Sequence, residues 1–385
     1  MYMDRHNLGI YIHIPFCTSK CNYCDFLSAP ATSEMIDLYV KALSDEIKSY
    51  RSIAREYAVK TIFIGGGTPS ILTGEQIQLI LTAVKEIFNL ADAETTIECN
   101  PGTVTMEKAL HYKKCGINRV SLGLQSANND ELKMLGRIHT YEQFLESYQI
   151  FRQCGFDNIN VDLISALPKQ SIADYKQSLQ RLIQLNPEHI SAYSLIIEED
   201  TKLYDIVSSY REKGIEVLPD EEEDRKMYKL TEFMLHQAGY KRYEISNYAR
   251  AGKECRHNRA YWTRGNYMGF GLGAASLVKE MRYNNISNLY EYIDNINKKV
   301  SIRENMIRLS IVEQMEEFMF LGLRLMEGVS YAEFEKMFHV TLDSVYKQSL
   351  DKMMDAGLLI RQGDRVRLTN KGIDISNYVM SEFIQ

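Results

Sequence analysis

From Leu8 to about Leu277 the chain alternates short β-rich runs with longer helical ones, the pattern of βα units wound into a mostly parallel sheet. In the first run Ile10, Ile12 and Ile14 alternate with Tyr11 and His13, which gives a strand from Gly9 to Ile14. Ile36, Tyr39, Val40, Leu43, Ile47 and Tyr50 then recur at helical spacing. Thr61–Ile64, Thr95–Glu98, Arg119–Leu124, Ile159–Ile164 and Ile190–Ile196 read as further strands. Gly116 and Gly155 stand where a left-handed cap would end the preceding helix. Six βα units with right-handed crossovers form either an open doubly wound sheet or part of a barrel. The expected fold is α/β, a partial (β/α)6 barrel.

The acidic run Asp220–Asp224 suits the positive end of a helix reaching about Gln237, and Tyr240–Ile245 reads as one more strand. Residues 247–273 read as a long loop belonging to a barrel domain over 1–280, with a linker over 281–306. From 307 to 385 the pattern becomes helical, with segments Val312–Met326, Tyr331–Phe338 and Ser344–Ala356 and then two short strand-like runs. That is a winged-helix-like domain. Its nine Lys/Arg against twelve Asp/Glu give no basic face for phosphates, so nucleic acid is not an expected partner and a structural or lid role is favoured. The net charge of −6 over 385 residues points the same way. The start, Met1 to Asn7, has no apolar targeting segment, and no run approaches the roughly 18 apolar residues of a membrane span. A cytoplasmic location is expected, and a homodimer is one assembly open to the chain.

Three of the seven cysteines, Cys17, Cys21 and Cys24, fall within eight residues directly after the first strand. Thiols at this spacing can converge on one centre. Three of them would leave one iron of an iron–sulfur cluster free to bind something that is not protein. Two other readings stay open on spacing alone: a zinc site completed by His13, and three inert thiols. The remaining cysteines are scattered singly, and the odd count argues against a disulfide framework.

A parallel βα barrel gathers its chemistry at the C-terminal ends of its strands. The cysteine loop follows the first strand and Gly65-Gly66-Gly67-Thr68 the second; Glu98, Gln125 and Asp162 belong to the next three. Each alone has an ordinary structural explanation as a cap, a turn residue or a buried carboxylate; the shared location is what marks a site. The triple glycine matches neither a dinucleotide fingerprint nor a P-loop, but it frees backbone to approach a charged amino-acid moiety.

With Tyr23 before the last cysteine, the Cys-x3-Cys-x2-Cys spacing resembles the radical S-adenosylmethionine (SAM) superfamily. Tyr-Ile-His-Ile-Pro-Phe-Cys, Gly-Gly-Gly-Thr-Pro, Glu-Cys-Asn-Pro-Gly, Leu-Gly-Leu-Gln-Ser and Asp-Leu-Ile-x-x-Leu-Pro, spread in order from Tyr11 to Pro168, resemble its coproporphyrinogen oxidase-like branch. The end domain resembles the same branch. The resemblance implies a 4Fe-4S cluster on Cys17, Cys21 and Cys24, with S-adenosylmethionine on the fourth iron. It implies cofactor contacts at Tyr11, Tyr23, Gly66, Glu98, Gln125, Arg137 and Asp162, with Gly67 and Thr68 lining the same pocket. Relatives in this branch often carry glycine where this chain has Ala166 and Lys169, and histidine at Ala275.

The branch holds two groups of different class: dehydrogenases that oxidatively decarboxylate coproporphyrinogen III, and haem chaperones that bind haem and pass it to apo-haemoproteins. The dehydrogenases have a long N-terminal extension, whereas sixteen residues precede Cys17 here; they also have a further cysteine where this chain has Phe26. His257-Asn-Arg-Ala-Tyr-Trp262 resembles a motif of the chaperone group. The expected function is therefore haem chaperoning, with haem as cargo and apo-haemoproteins as recipients; decarboxylation or another radical reaction is the alternative. His257 is a candidate haem-iron ligand, Cys255 a second, and a packing role for His257 beside Trp262 is the competing reading.

Overall fold

In a computed structural model the protein is described over residues 6–90 and 92–384. Met1 to Arg5, most of the segment read for targeting signals, lie outside the described residues. The parallel strands are β1 (His6–Ile14), β2 (Tyr57–Gly66), β3 (Glu94–Cys99), β4 (Arg119–Gln125), β5 (Ile159–Ser165) and β6 (His189–Ser194). They pair in chain order, β1 to β6, all parallel. Their helix-facing residues and the helices outside them share one core, in which Ile10, Ile12, Ile62, Ile64, Val120, Leu122 and Val161 are fully buried. The helices begin where the sequence supplies caps. Thr32 accepts from the Met35 N–H, Thr73 and Gln76 form a capping box, and Asp220 and Glu223 form another ahead of the helix Glu221–Gln237.

The sheet goes on past both ends of this parallel set, where the sequence reading needs correction. The expected strand Tyr240–Ile245 is only β7 (Lys241–Arg242), because the buried Glu244 carboxylate accepts from the Ser246 N–H at 2.8 Å and the Asn247 side chain at 2.6 Å, and so folds the chain back into β8 (Asn247–Ala249). The supposed loop 247–273 then holds a helix, Arg256–Trp262, and β9 (Tyr267–Phe270), which pairs in parallel with the free side of β1. The supposed linker 281–306 is also built into the fold. β10 (Ala275–Val278), β11 (Met281–Asn285) and β12 (Arg303–Arg308) extend the sheet antiparallel from β9, and the helix Leu289–Lys298 packs on the helix Ser33–Ser49. Among the described residues the twelve strands run β12-β11-β10-β9-β1-β2-β3-β4-β5-β6-β8-β7, an incomplete barrel with two edges.

The pin for the helix Leu289–Lys298 is Glu46, buried in the first helix. It accepts from the Tyr292 hydroxyl at 2.5 Å, the Asn285 amide at 2.8 Å and the Gly271 N–H at 2.8 Å. A lone carboxylate two hundred residues away in sequence gives no periodic signal, which is why this packing was illegible in the sequence.

The C-terminal part has its own core around Met319, Phe334, Leu342, Leu350 and Val366. Its helices Ile311–Gly322, Tyr331–Phe338 and Leu342–Asp355 lead to a three-stranded sheet of β13 (Val329–Ser330), β14 (Leu359–Gln362) and β15 (Arg365–Leu368).

Two departures from the family resemblance have a backbone signature. Ala166 and Lys169, where the family resemblance leads one to expect glycine often, adopt φ of +58° and +64°. A Cβ in the left-handed region costs roughly 1–2 kcal/mol per residue, so Ala166→Gly and Lys169→Gly are each expected to stabilise the protein by about 1 kcal/mol. Urea unfolding of the single variants measures this; destabilisation by either would show that its side-chain contacts outweigh the strain.

Candidate cofactor site

A cavity of about 370 Å³ opens at the C-terminal ends of the parallel strands. It brings together Cys17, Cys21, Cys24, Tyr23, Gly66, Gly67, Thr68, Glu98, Gln125, Arg137 and Asp162. Strand order explains this meeting. Consecutive parallel strands end side by side, so residues up to 145 positions apart share one mouth.

Around the thiols the donor set suits anionic sulfur. The Thr68 hydroxyl donates to Cys17 Sγ at 3.3 Å, and Arg137 Nη1 donates to Cys21 Sγ at 3.5 Å. Arg137 is fixed by bonds from Nη2 to Asn100 Oδ1 at 2.9 Å and to the Gly123 carbonyl at 3.1 Å. Its Nε donates to His139 Nδ1 at 3.3 Å, while His139 Nε2 meets the Leu124 carbonyl at 3.3 Å. Burial, and then the Arg137 charge, push the His139 pKa down to about 3, so the ring stays neutral and can accept. Gly67 is needed for space: a Cβ there would stand 3.0 Å from Cys17 Sγ and 2.6 Å from the Phe16 carbonyl. This cradle fits a cluster held by three thiolates. The zinc alternative loses its fourth ligand, because both ring nitrogens of His13 are engaged, Nδ1 with the Tyr11 hydroxyl at 2.9 Å and Nε2 with the Leu27 carbonyl at 2.9 Å.

The opposite wall carries two half-buried carboxyl groups, Glu98 and Asp162. Glu98 Oε2 accepts from the Gly66 N–H at 3.1 Å, and a Cβ on Gly65 would come within 2.8 Å of the same oxygen. Asp162 Oδ1 accepts from the Asn160 amide at 2.7 Å. Burial raises both pKa values, that of Glu98 to about 8 with Asp162 as the second cause. Between the ordinary value near 4.5 and 8, the folded state holds a proton on Glu98 that the unfolded chain has released, so stability falls as pH rises through that window. Without cofactor the protein is expected to lose a few kcal/mol between pH 5 and pH 9, and Glu98→Gln should remove much of that slope. Denaturant melts at several pH values decide it; an unchanged slope in the variant would place the titration elsewhere.

Three of the sequence candidates stand outside the cavity. Tyr11 does not line it; its ring lies 6.4 Å from Phe63, stacked in the barrel interior. His257 is the larger correction. It is 2 % exposed, with Nδ1 bonded to the Thr61 hydroxyl at 2.8 Å and Nε2 to the Tyr261 hydroxyl at 3.0 Å, and its ring stacks on Phe63 at 5.2 Å. Neither nitrogen is offered to a ligand. Cys255, fully buried beside the Glu94 carboxylate, is no better placed. The cavity also includes Asn100, Ser191, Tyr193, Asn247 and Asn258, which sequence reasoning passed over. Asn100 and Tyr193 could have been found by counting to the ends of β3 and β6; Asn247 and Asn258 come from the segment misread as a loop.

The profile of the Radical SAM superfamily matches residues 11–182, and that of the HemN C-terminal domain matches 309–375. Proteins named heme chaperone HemW are similar almost end to end. That of Lactococcus lactis subsp. lactis (strain IL1403) is 36% identical, covering 97% of this chain and 96% of its own. Those of Bacillus subtilis (strain 168) and Escherichia coli (strain K12) are 35% and 34% identical, with at least 97% of each chain covered. Among solved structures, coproporphyrinogen III oxidase (HemN) from Escherichia coli superposes with a TM-score of 0.86 at 23% identity, over 99% of this chain and 91% of that one, which establishes the shared fold. The chain belongs to the radical SAM superfamily and, within it, to the family of proteins named heme chaperone HemW.

Proposed function

We propose that the protein binds haem and delivers it to apo-haemoproteins in the cytoplasm, and that it carries a radical SAM cofactor site. The observation that carries this reading is the end-to-end likeness to heme chaperones. Phe26 supports it: this exposed aromatic side chain lines the cavity two residues past Cys24, where a decarboxylating relative would carry another thiol.

Cys17, Cys21 and Cys24 would hold a 4Fe-4S cluster, with Thr68 and Arg137 donating to its sulfur ligands. The exposed backbone at Gly66 and Gly67 would pass along the amino-acid end of S-adenosylmethionine. Glu98 and Asp162 would accept from its ammonium or ribose hydroxyls, and because burial pushes the Glu98 pKa up to about 8, a cationic group arriving there would release its proton. When bound, the pair supplies one-electron cleavage of a sulfonium, with the protein positioning and shielding it.

The test offers reconstituted protein ferric haem plus an apo-haemoprotein and, separately, coproporphyrinogen III. Stoichiometric haem binding followed by transfer is expected, without decarboxylation. Decarboxylation without transfer would replace this reading with the dehydrogenase one.

A further inference from the structure

A second cavity, of about 680 Å³, lies on the far side of the helix Arg256–Trp262, where that helix meets the C-terminal part of the chain. Its size is that of a site for a drug-sized or larger organic ligand, ~300–1,000 Å³. The walls are Trp262, Phe318 and Met337, and the floor is stripped of side chains at Gly322 and Gly328. Neither glycine can be replaced cheaply. A Cβ on Gly322 would stand 2.3 Å from Val329 Cγ1, and Gly328 sits at φ +68° with the Val366 carbonyl 2.0 Å from where its Cβ would be. The two glycines thus allow close packing against Val329 and Val366 behind the groove, whose aromatic lining is Trp262 and Phe318.

Its polar rim is cationic on balance. Arg259 pairs with Glu327 at 2.7 Å and Arg365 with Glu333 at 3.7 Å, whereas Lys336 has no ion pair among the described residues. Met337, 47% exposed, is the one soft metal donor lining the groove, since no histidine or cysteine reaches it.

Resting on the haem-chaperone reading above, we infer that this groove is where the cargo sits: a haem lying against Trp262 and Phe318, its iron toward the Met337 thioether and its propionates toward Lys336 and Arg365. A planar apolar macrocycle with two carboxylates and an iron matches a groove offering aromatic walls, a spare cation and a thioether. The thioether is neutral, and a weak bond to ferric iron suits a cargo that must leave. The sequence motif acquires a division of labour. His257 is bonded to Thr61 and Tyr261 and anchors the helix to the barrel, while Trp262 at the other end of the motif forms the wall.

Ferric haem titrated into the full-length protein tests the site through its Soret band. The wild type is expected to bind one haem. Met337→Ala should shift the band, and the double variant Lys336→Glu/Met337→Asp should weaken binding at least tenfold. Both side chains are exposed, so thermal unfolding of these variants should stay at the wild-type temperature. Ile196→Asp, 71% exposed and following β6 at the barrel mouth, should bind as the wild type does. Wild-type affinity and an unshifted band in the groove variants would overturn the placement while leaving the chaperone reading intact. Failure of the wild type to bind haem at all would remove that reading and the groove with it.

Discussion

Glu317→Ala is expected to destabilise the protein by about 1–3 kcal/mol, the cost of leaving buried guanidinium N–H groups without their acceptor. Glu317 lies on the helix Ile311–Gly322 and is nearly inaccessible. Its Oε2 takes a bond from Arg264 Nε at 2.9 Å, and its Oε1 meets Arg282 Nη2 at 2.6 Å. Arg264 is as buried as its partner and also holds Glu280, in the tight turn between β10 and β11. One carboxylate therefore ties the C-terminal helix to both the segment after Trp262 and the extended sheet edge. Removing it takes the acceptor from the buried Arg264 Nε and leaves that guanidinium its pairing with Glu280 at the turn, whereas an exposed pair such as Lys226–Glu222 is screened by solvent and adds little. Urea titration of Glu317→Ala and of Glu222→Ala reads the contrast. A loss below about 1 kcal/mol for Glu317→Ala would mean that water reaches the Arg264 guanidinium. The domain contact that shapes the proposed haem groove should loosen with it.

Replacing Cys17, Cys21 and Cys24 together by alanine is expected to abolish cluster binding, from about four iron and four sulfide per chain after anaerobic reconstitution to near none. The effect should be all-or-none, because the loop would supply every protein ligand: Cys115, Cys154 and Cys255 are buried away from the cavity, and Cys99, which lines it, is a buried thiol whose pKa burial pushes up. The apo-protein should keep its fold. Cys21 and Cys24 are half-buried, and the loop is pinned independently of sulfur by Asn22, whose amide donates to the Met134 carbonyl at 3.0 Å. Iron and sulfide analysis with circular dichroism checks both halves. Zinc in place of iron in the reconstituted wild type would sink the assignment.

Residues that act through local pattern were legible in the sequence. Alternating isoleucines gave β1, the helical spacing of Ile36 to Tyr50 gave the first helix, and ligand spacing gave the thiol loop; each depends on neighbours within a few positions. The same reading failed from Tyr240 to Arg308. There the controlling groups are single buried carboxylates, Glu244, Glu317 and Glu46, whose partners are remote in sequence and leave no period to detect.

His257 to Trp262 marks the boundary between the two kinds of information. The sequence by itself determined that this motif exists, that a three-cysteine loop follows the first strand and that βα units carry the cavity, because spacing and periodicity are properties of the chain. Only the tertiary structure decided which residue of the motif faces an open groove. The folding of β2 against the helix Arg256–Trp262 uses both nitrogens of His257 on Thr61 and Tyr261, while the arrival of the helix Ile311–Gly322 leaves Trp262 facing a groove. A ring nitrogen already spent on a buried hydrogen bond is not available to iron, and no local pattern records that.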